Sequence, residues 1–159
     1  MPLFIPASPR ILRLVQPSVG STLITTSEAV LGTLTIPGGS IGPTGELELD
    51  AMMSITTSAN LKTVRVRLDG LAGTAIYTFG SITTNSNFGI KLLIVANASE
   101  SSQFTWGTSW RATDILQAAN APVSSTINMT TDRTIVVTGQ AAAVSENMAC
   151  LAMRAKIRR

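Results

Sequence analysis

The sequence predicts an all-β fold: a sandwich of about eight short strands behind an extended N-terminal arm. Three observations carry this. Apolar and polar residues alternate with period two in most segments, the segments are short, and clusters of Gly, Pro, Asn and Ser separate them. Residues 61–70 are the cleanest case, with Val64, Val66 and Leu68 on one side and Thr63, Arg65, Arg67 and Asp69 on the other. A length of 159 residues suits one domain with one core.

Residues 1–22 read as an arm outside that core. Pro2, Pro6, Pro9 and Pro17 block helix and ladder donation, and between them lie Leu3, Phe4, Ile5, Ile11, Leu12, Leu14 and Val15. Docking each such side chain recovers roughly 1.5–3 kcal/mol, so the arm is expected to lie on another subunit or, as the alternative, to fold back on its own domain. The domain proper then covers 23–159. Strands are expected at 29–36, closed by Pro37-Gly38-Gly39; at 46–57, with Leu47, Leu49, Ala51, Met53 and Ile55 on one face; at 61–69; and at 74–79. Residues 80–87 read as a loop. Residues 88–96 are apolar on both faces except for Lys91, so this strand is expected to be covered on two sides. Further strands are expected at 103–108, 123–128, 133–139 and 148–157, the last with Ala149, Leu151, Met153, Ala155 and Ile157 inward. Residues 111–120 read as a long loop with one helical turn at most, ended by Ala121-Pro122.

Two sheets must then be paired. A jelly roll pairs first strand with last and moves inward. Counted from residue 29, this sets 29–36 beside 148–157, 46–57 beside 133–139, 61–69 beside 103–108, and 74–79 beside 88–96. A simple meander instead pairs 46–57 with 61–69 and sets Asp50 opposite Arg67.

Composition excludes several chemistries. There is no histidine, which removes histidine-based nucleophilic catalysis, and zinc sites need Cys/His clusters that the chain lacks. Cys150 is the only cysteine and reads as an inert thiol. No metal and no cofactor is expected. Glu46, Glu48 and Asp50 could hold Ca²⁺, but on a flat strand they read better as a solvated face. Charged residues are only 13% and mean hydropathy is +0.32, yet no run is long enough to span a membrane, so either some apolar surface is covered by other chains or the surface is an ordinary Ser/Thr-coated one. The net charge of +3 sits at the ends: Arg154, Lys156, Arg158 and Arg159 close the chain, and Arg10 and Arg13 open it. This basic end alternates with apolar residues, so docking to an acidic protein surface is expected in preference to nucleic acid. Trp106 and Trp110 suit core or interface packing, or a platform for stacking a glycan.

Ser58-Ala59-Asn60-Leu61-Lys62-Thr63-Val64-Arg65 resembles the Asn-x-Lys-Thr-hydrophobic-Arg stretch of small jelly-roll proteins of tailed-bacteriophage virions. The stretch Thr134-Ile135-Val136-Val137-Thr138-Gly139-Gln140-Ala141, Leu31–Pro37 and the turn at Gly45 fit as well, so the likeness covers residues 29–157. Residues 143–148 depart from the pattern, which has a Gly-Asp-type turn there. The resemblance implies a non-enzymatic virion protein: a capsid decoration or cement protein, forming homotrimers and bound to the major capsid protein or another virion component at the capsid surface. Anchoring would fall to Leu3, Phe4, Ile5, Arg10, Ile11 and Leu12, and the oligomer interface to Phe88, Ile90, Leu92 and Leu93. The alternative is a carbohydrate- or receptor-binding tip of a tail or fibre, with Trp106 and Trp110 as glycan contacts. Neither places the chain in a membrane.

Overall fold

The computed structural model of the chain describes residues 11–16, 19–23, 26–83, 87–111, 114–117, 122–144 and 146–159. They form twelve strand segments: β1 (Ile11–Gln16), β2 (Val19–Leu23), β3 (Ala29–Ile36), β4 (Glu46–Ile55), β5 (Lys62–Leu68), β6 (Thr74–Ile82), β7 (Asn87–Ala96), β8 (Gln103–Arg111), β9 (Asp114–Gln117), β10 (Val123–Ser125), β11 (Arg133–Ala141) and β12 (Met148–Arg158). All ladders are antiparallel. The larger sheet runs β1-β12-β4-β7-β8-β10, with β2 also on β12 and β9 also on β8; the smaller runs β3-β11-β5-β6.

This is a jelly roll, and its pairing shows where strand counting begins. β1 and β2 both pair β12, β3 pairs β11, β4 pairs β7 and β5 pairs β6. That is nested pairing, first with last and inward. The nest expected from sequence has the right logic in the wrong frame. Its four pairs are all displaced, because β1 and β2 precede 29–36 in the nest and lie in the stretch that the prolines had marked as an arm. A strand on the sheet border needs ladder donors on one side only, so a proline-containing stretch can still supply border strands. Residues 1–10, including Leu3, Phe4, Ile5 and Arg10, lie outside the described residues. The meander pairing is also absent: β4 and β5 belong to opposite sheets, and Asp50 faces Arg154, not Arg67.

Between β7 and β11 the chain adds β8, β9 and β10, which widen the larger sheet beyond the nested pairs; β8 and β10 fall where strands were expected, and β9 does not. Asp114–Gln117, expected as loop or helical turn, pairs with β8. One isolated helical turn is costly to nucleate, whereas the open border of β8 supplies ladder partners at once.

The core is the space between the sheets. Val64, Val66 and Leu68 of β5 face Leu47, Leu49 and Ala51 of β4 and Ile90, Leu92 and Ile94 of β7 in one buried cluster. Parity places the residues of β4 and β5 as expected; on β12 it fails as far as Leu151. A bulge between Cys150 and Ala152 shifts the register of β12 against β4, so Cys150 turns inward and Leu151 outward, the reverse of the simple alternation. Burial pushes the Cys150 thiol up to about 11.

One polar cluster is sealed at an end of the sandwich. Lys62, at the start of β5, shares the inward parity of Val64 and is wholly buried. Its Nζ lies 3.1 Å from Glu146 Oε2, and it donates to Ser58 Oγ at 2.9 Å and to the Asn60 carbonyl at 2.8 Å. Ser58 Oγ and Asn60 Nδ2 both donate to Glu146 Oε1. Those two hydrogen bonds, and then Lys62, hold the Glu146 carboxyl below the usual 4.5 against the opposing effect of burial. The Ser58–Lys62 motif therefore ties the β4–β5 connection to the β11–β12 connection, where Glu146 stands in the stretch that departs from the usual turn.

Candidate functional site

The outer face of the larger sheet gathers the acidic row, much of the basic C-terminus and both tryptophans singled out from sequence. Registers across the strands align them in rows. One row runs Ile11, Arg158, Glu46, Val95, Phe104; the next Arg13, Lys156, Glu48, Leu93, Trp106; the next Val15, Arg154, Asp50, Lys91, Thr108. At the far end Met52, Gly89 and Trp110 align. The face is thus graded: cations on β12, carboxylates on β4, apolar residues on β7 and aromatic rings on β8.

The charged half is an ion ladder. Arg154 Nε lies 3.0 Å from Asp50 Oδ2, Lys91 Nζ 2.7 Å from Glu48 Oε1, and Arg158 reaches both Glu46 and Glu48. The Lys91 hydrogen bond lowers the Glu48 carboxyl against burial, with the charges of Lys91, Arg158 and Lys156 adding to it. The acidic row thus has internal cation partners, and the basic C-terminus finds its acidic surface on its own β4. Among the described residues no group of three or more Asp, Glu, His or Cys is placed to hold a metal.

The other half is apolar. Phe104 and Trp106 are each 36% exposed, their centroids 6.2 Å apart, and they flank the half-buried Leu93 and Val95. Trp110, 40% exposed, lies over Gly89. A Cβ at Gly89 would meet the indole at 2.4 Å, so only glycine allows this contact. Beside it, Met52, Leu151, Asn87 and the indole line a hollow of about 380 Å³.

Phe88, Ile90 and Leu92, expected at an oligomer interface, point into the core and are at most 3% exposed. Of those four residues only Leu93 has outward parity. The apolar run 88–96 is covered by the smaller sheet on one face, and only Lys91, Leu93 and Val95 break the outer surface. Ile11 and Leu12 are exposed on β1, at 54% and 40%. Sequence reading missed Phe104, whose even numbering with Trp106 and Trp110 puts all three rings on one side of a strand.

A second carboxylate cluster sits on the smaller sheet. Arg67 grips Glu28 through Nε at 2.8 Å and Nη2 at 3.0 Å, Arg65 approaches at 3.2 Å, and Thr138 Oγ1 donates to the same carboxylate. The outer row of the 61–70 stretch thus fastens the lead-in to β3.

No family model matches the chain, and no curated protein matches it. Among solved structures, dimeric latent PorU from Porphyromonas gingivalis overlaps 95% of this chain but 13% of its own, at 11% identity and a TM-score of 0.44. The basic winged bean lectin with Tn-antigen overlaps 94% of this chain and 92% of its own, at 9% identity and 0.39. The infectious bursal disease virus VP2 subviral particle overlaps 95% of this chain and 41% of its own, at 11% identity and 0.36. Overlaps at this level carry no argument for this chain, which spans a small part of PorU and under half of VP2. The jelly-roll assignment rests on the strand pairing.

Proposed function

We propose that this chain is a non-enzymatic virion structural protein, one that decorates or cements a capsid as an oligomer, with the trimer as the expected state. The observation that carries the reading is the apolar half-face, where Phe104, Trp106, Leu93 and Val95 form one outward strip beside an ion ladder. Aromatic, charge-depleted strips rimmed by polar residues are the usual composition of protein interfaces. The phage-virion resemblance of residues 58–65 supports the setting. N-terminal residues 1–10 carry Leu3, Phe4, Ile5 and Arg10 and are the anchor in this reading, repeated over many copies so that weak contacts add.

Two measurements test it. Native mass spectrometry should give an oligomer for the natural chain and monomer for Trp106→Asp with Phe104→Asp. Removal of residues 1–10, which leaves β1 intact, should abolish attachment to particles and leave the oligomer. A monomer at every concentration, or unchanged attachment after the deletion, overturns the respective half.

A second reading, a glycan-binding tip, draws on one feature: the half-exposed Trp110 ring packed against Gly89 and lining one hollow with Asn87. Stacked indole with an adjacent amide suits a pyranose face. Glycan-array binding lost in Trp110→Ala would favour it, and a blank array would remove it.

A further inference from the structure

The ion ladder leaves two cations over. Arg13 on β1 and Lys156 on β12 are direct cross-strand partners, and neither forms an ion pair with a carboxylate of the described residues. The acids within reach are engaged: Asp50 with Arg154, Glu48 with Lys91 and Arg158. Like charges directly opposite in an antiparallel pair oppose the pairing; the charge of Glu48, opposite Lys156 on β4, acts against this, but that carboxylate is already held by Lys91 and Arg158. Together with Leu14, Val15, Ala155 and the Arg154–Asp50 pair, and with Glu48 at the inner side, Arg13 and Lys156 line a hollow of about 370 Å³ that holds three cations against two carboxylates. Beside it β1 is the outermost strand of the sheet, with β12 as its ladder neighbour among the described residues. Its outward row is Ile11, Arg13, Val15, and the two apolar members are 54% and 70% exposed.

A cation on a border strand is a common guard against self-pairing. Arg13 alone would do that, since two copies meeting antiparallel about the middle of β1 would bring arginine towards arginine. A guard needs neither a second cation behind it nor an apolar residue on each side. We propose that β1 is a docking border for an extended acidic segment of another protein. The segment adds a strand to the larger sheet, sets one carboxylate between Arg13 and Lys156, and lays apolar side chains along Ile11 and Val15. Main-chain hydrogen bonds hold it, and the charge fixes its register. A nucleic-acid backbone fits less well, because a polyanion crossing the sheet from Arg13 and Lys156 meets Glu48 and Asp50 one strand further in. The inference is independent of the virion reading, as any partner with such a segment qualifies.

The test is fluorescence anisotropy with a labelled peptide, Ser-Thr-Val-Glu-Val-Thr-Ser. Controls are the peptide with Gln for Glu, the peptide N-methylated at alternate residues on either border, and a single-stranded oligonucleotide. Saturable binding should weaken about tenfold in the Gln peptide and in Arg13→Gln or Lys156→Gln. It should vanish on methylation of one border and survive methylation of the other. Circular dichroism and thermal melts should show both variants folded and no less stable than the natural chain. Absence of saturable binding, binding indifferent to Arg13→Gln or to methylation, or preference for the oligonucleotide overturns the proposal.

Discussion

Two ion networks in this molecule have the same chemistry and opposite surroundings. Lys62 and Glu146 meet with side chains 0% and 2% exposed, and every polar atom around them is drawn from two loops that must close together. Arg154 and Asp50 meet on an open sheet face with side chains 71% and 25% exposed. Strand parity assigns each charge its depth, and depth decides what the pair is worth. In water the Coulomb gain is small and screened, while in the sealed cluster a single unpartnered charge has no solvent to turn to.

The largest effect should come from breaking the sealed pair. Lys62→Met strands a carboxylate and should cost about 3 kcal/mol or more in chemical denaturation. Lys62→Met with Glu146→Gln, which keeps acceptors for Ser58 and Asn60, should recover much of the loss. A loss for the single variant no greater than for a surface pair would erase the distinction. Acid should reveal the same ordering. Glu146, Glu28 and Glu48 all titrate below the ordinary 4.5, so the stability they supply is full above about that pH and disappears as pH falls through their lowered values. Glu146→Gln should flatten this acid limb of a pH–stability profile, and with no histidine present the profile near neutrality should be flat. Glu28 is intermediate, gripped by Arg67 with both side chains under a fifth exposed. Glu28→Gln should cost about 1–2 kcal/mol by equilibrium unfolding. Asp50→Asn should change stability by less than about 0.5 kcal/mol, and the change should disappear in molar salt.

The same parity explains what the sequence conveyed and what it hid. Period-two alternation identified the inward faces of β4 and β5 and the all-β class, because one flank of every strand must be apolar. It also held the signal for the sealed pair: Lys62 has the number parity of Val64, Val66 and Leu68, and a lysine on that side requires a buried partner. Glu146 could not be picked out, since it comes from a loop eighty-odd residues away and only the fold brings it near. The interface residues on β7 were misplaced for a related reason. An apolar run without alternation does not say which parity faces the other sheet, and Phe88, Ile90 and Leu92 proved to be core. The bulge at Cys150/Ala152 and the pairing of β1 and β2 with β12 are non-local choices, set by the ladder neighbours and not by the residues themselves.

The bulge has a practical sequel. By turning Cys150 into the interior, where its thiol titrates near 11, it leaves the molecule without a nucleophilic sulfur at its surface among the described residues. Leu71→Cys, at an exposed turn, would then be the sole site taken by a maleimide dye at neutral pH. A fluorophore or gold label placed there would report which end of the sandwich points outward on any assembly, with no background to subtract.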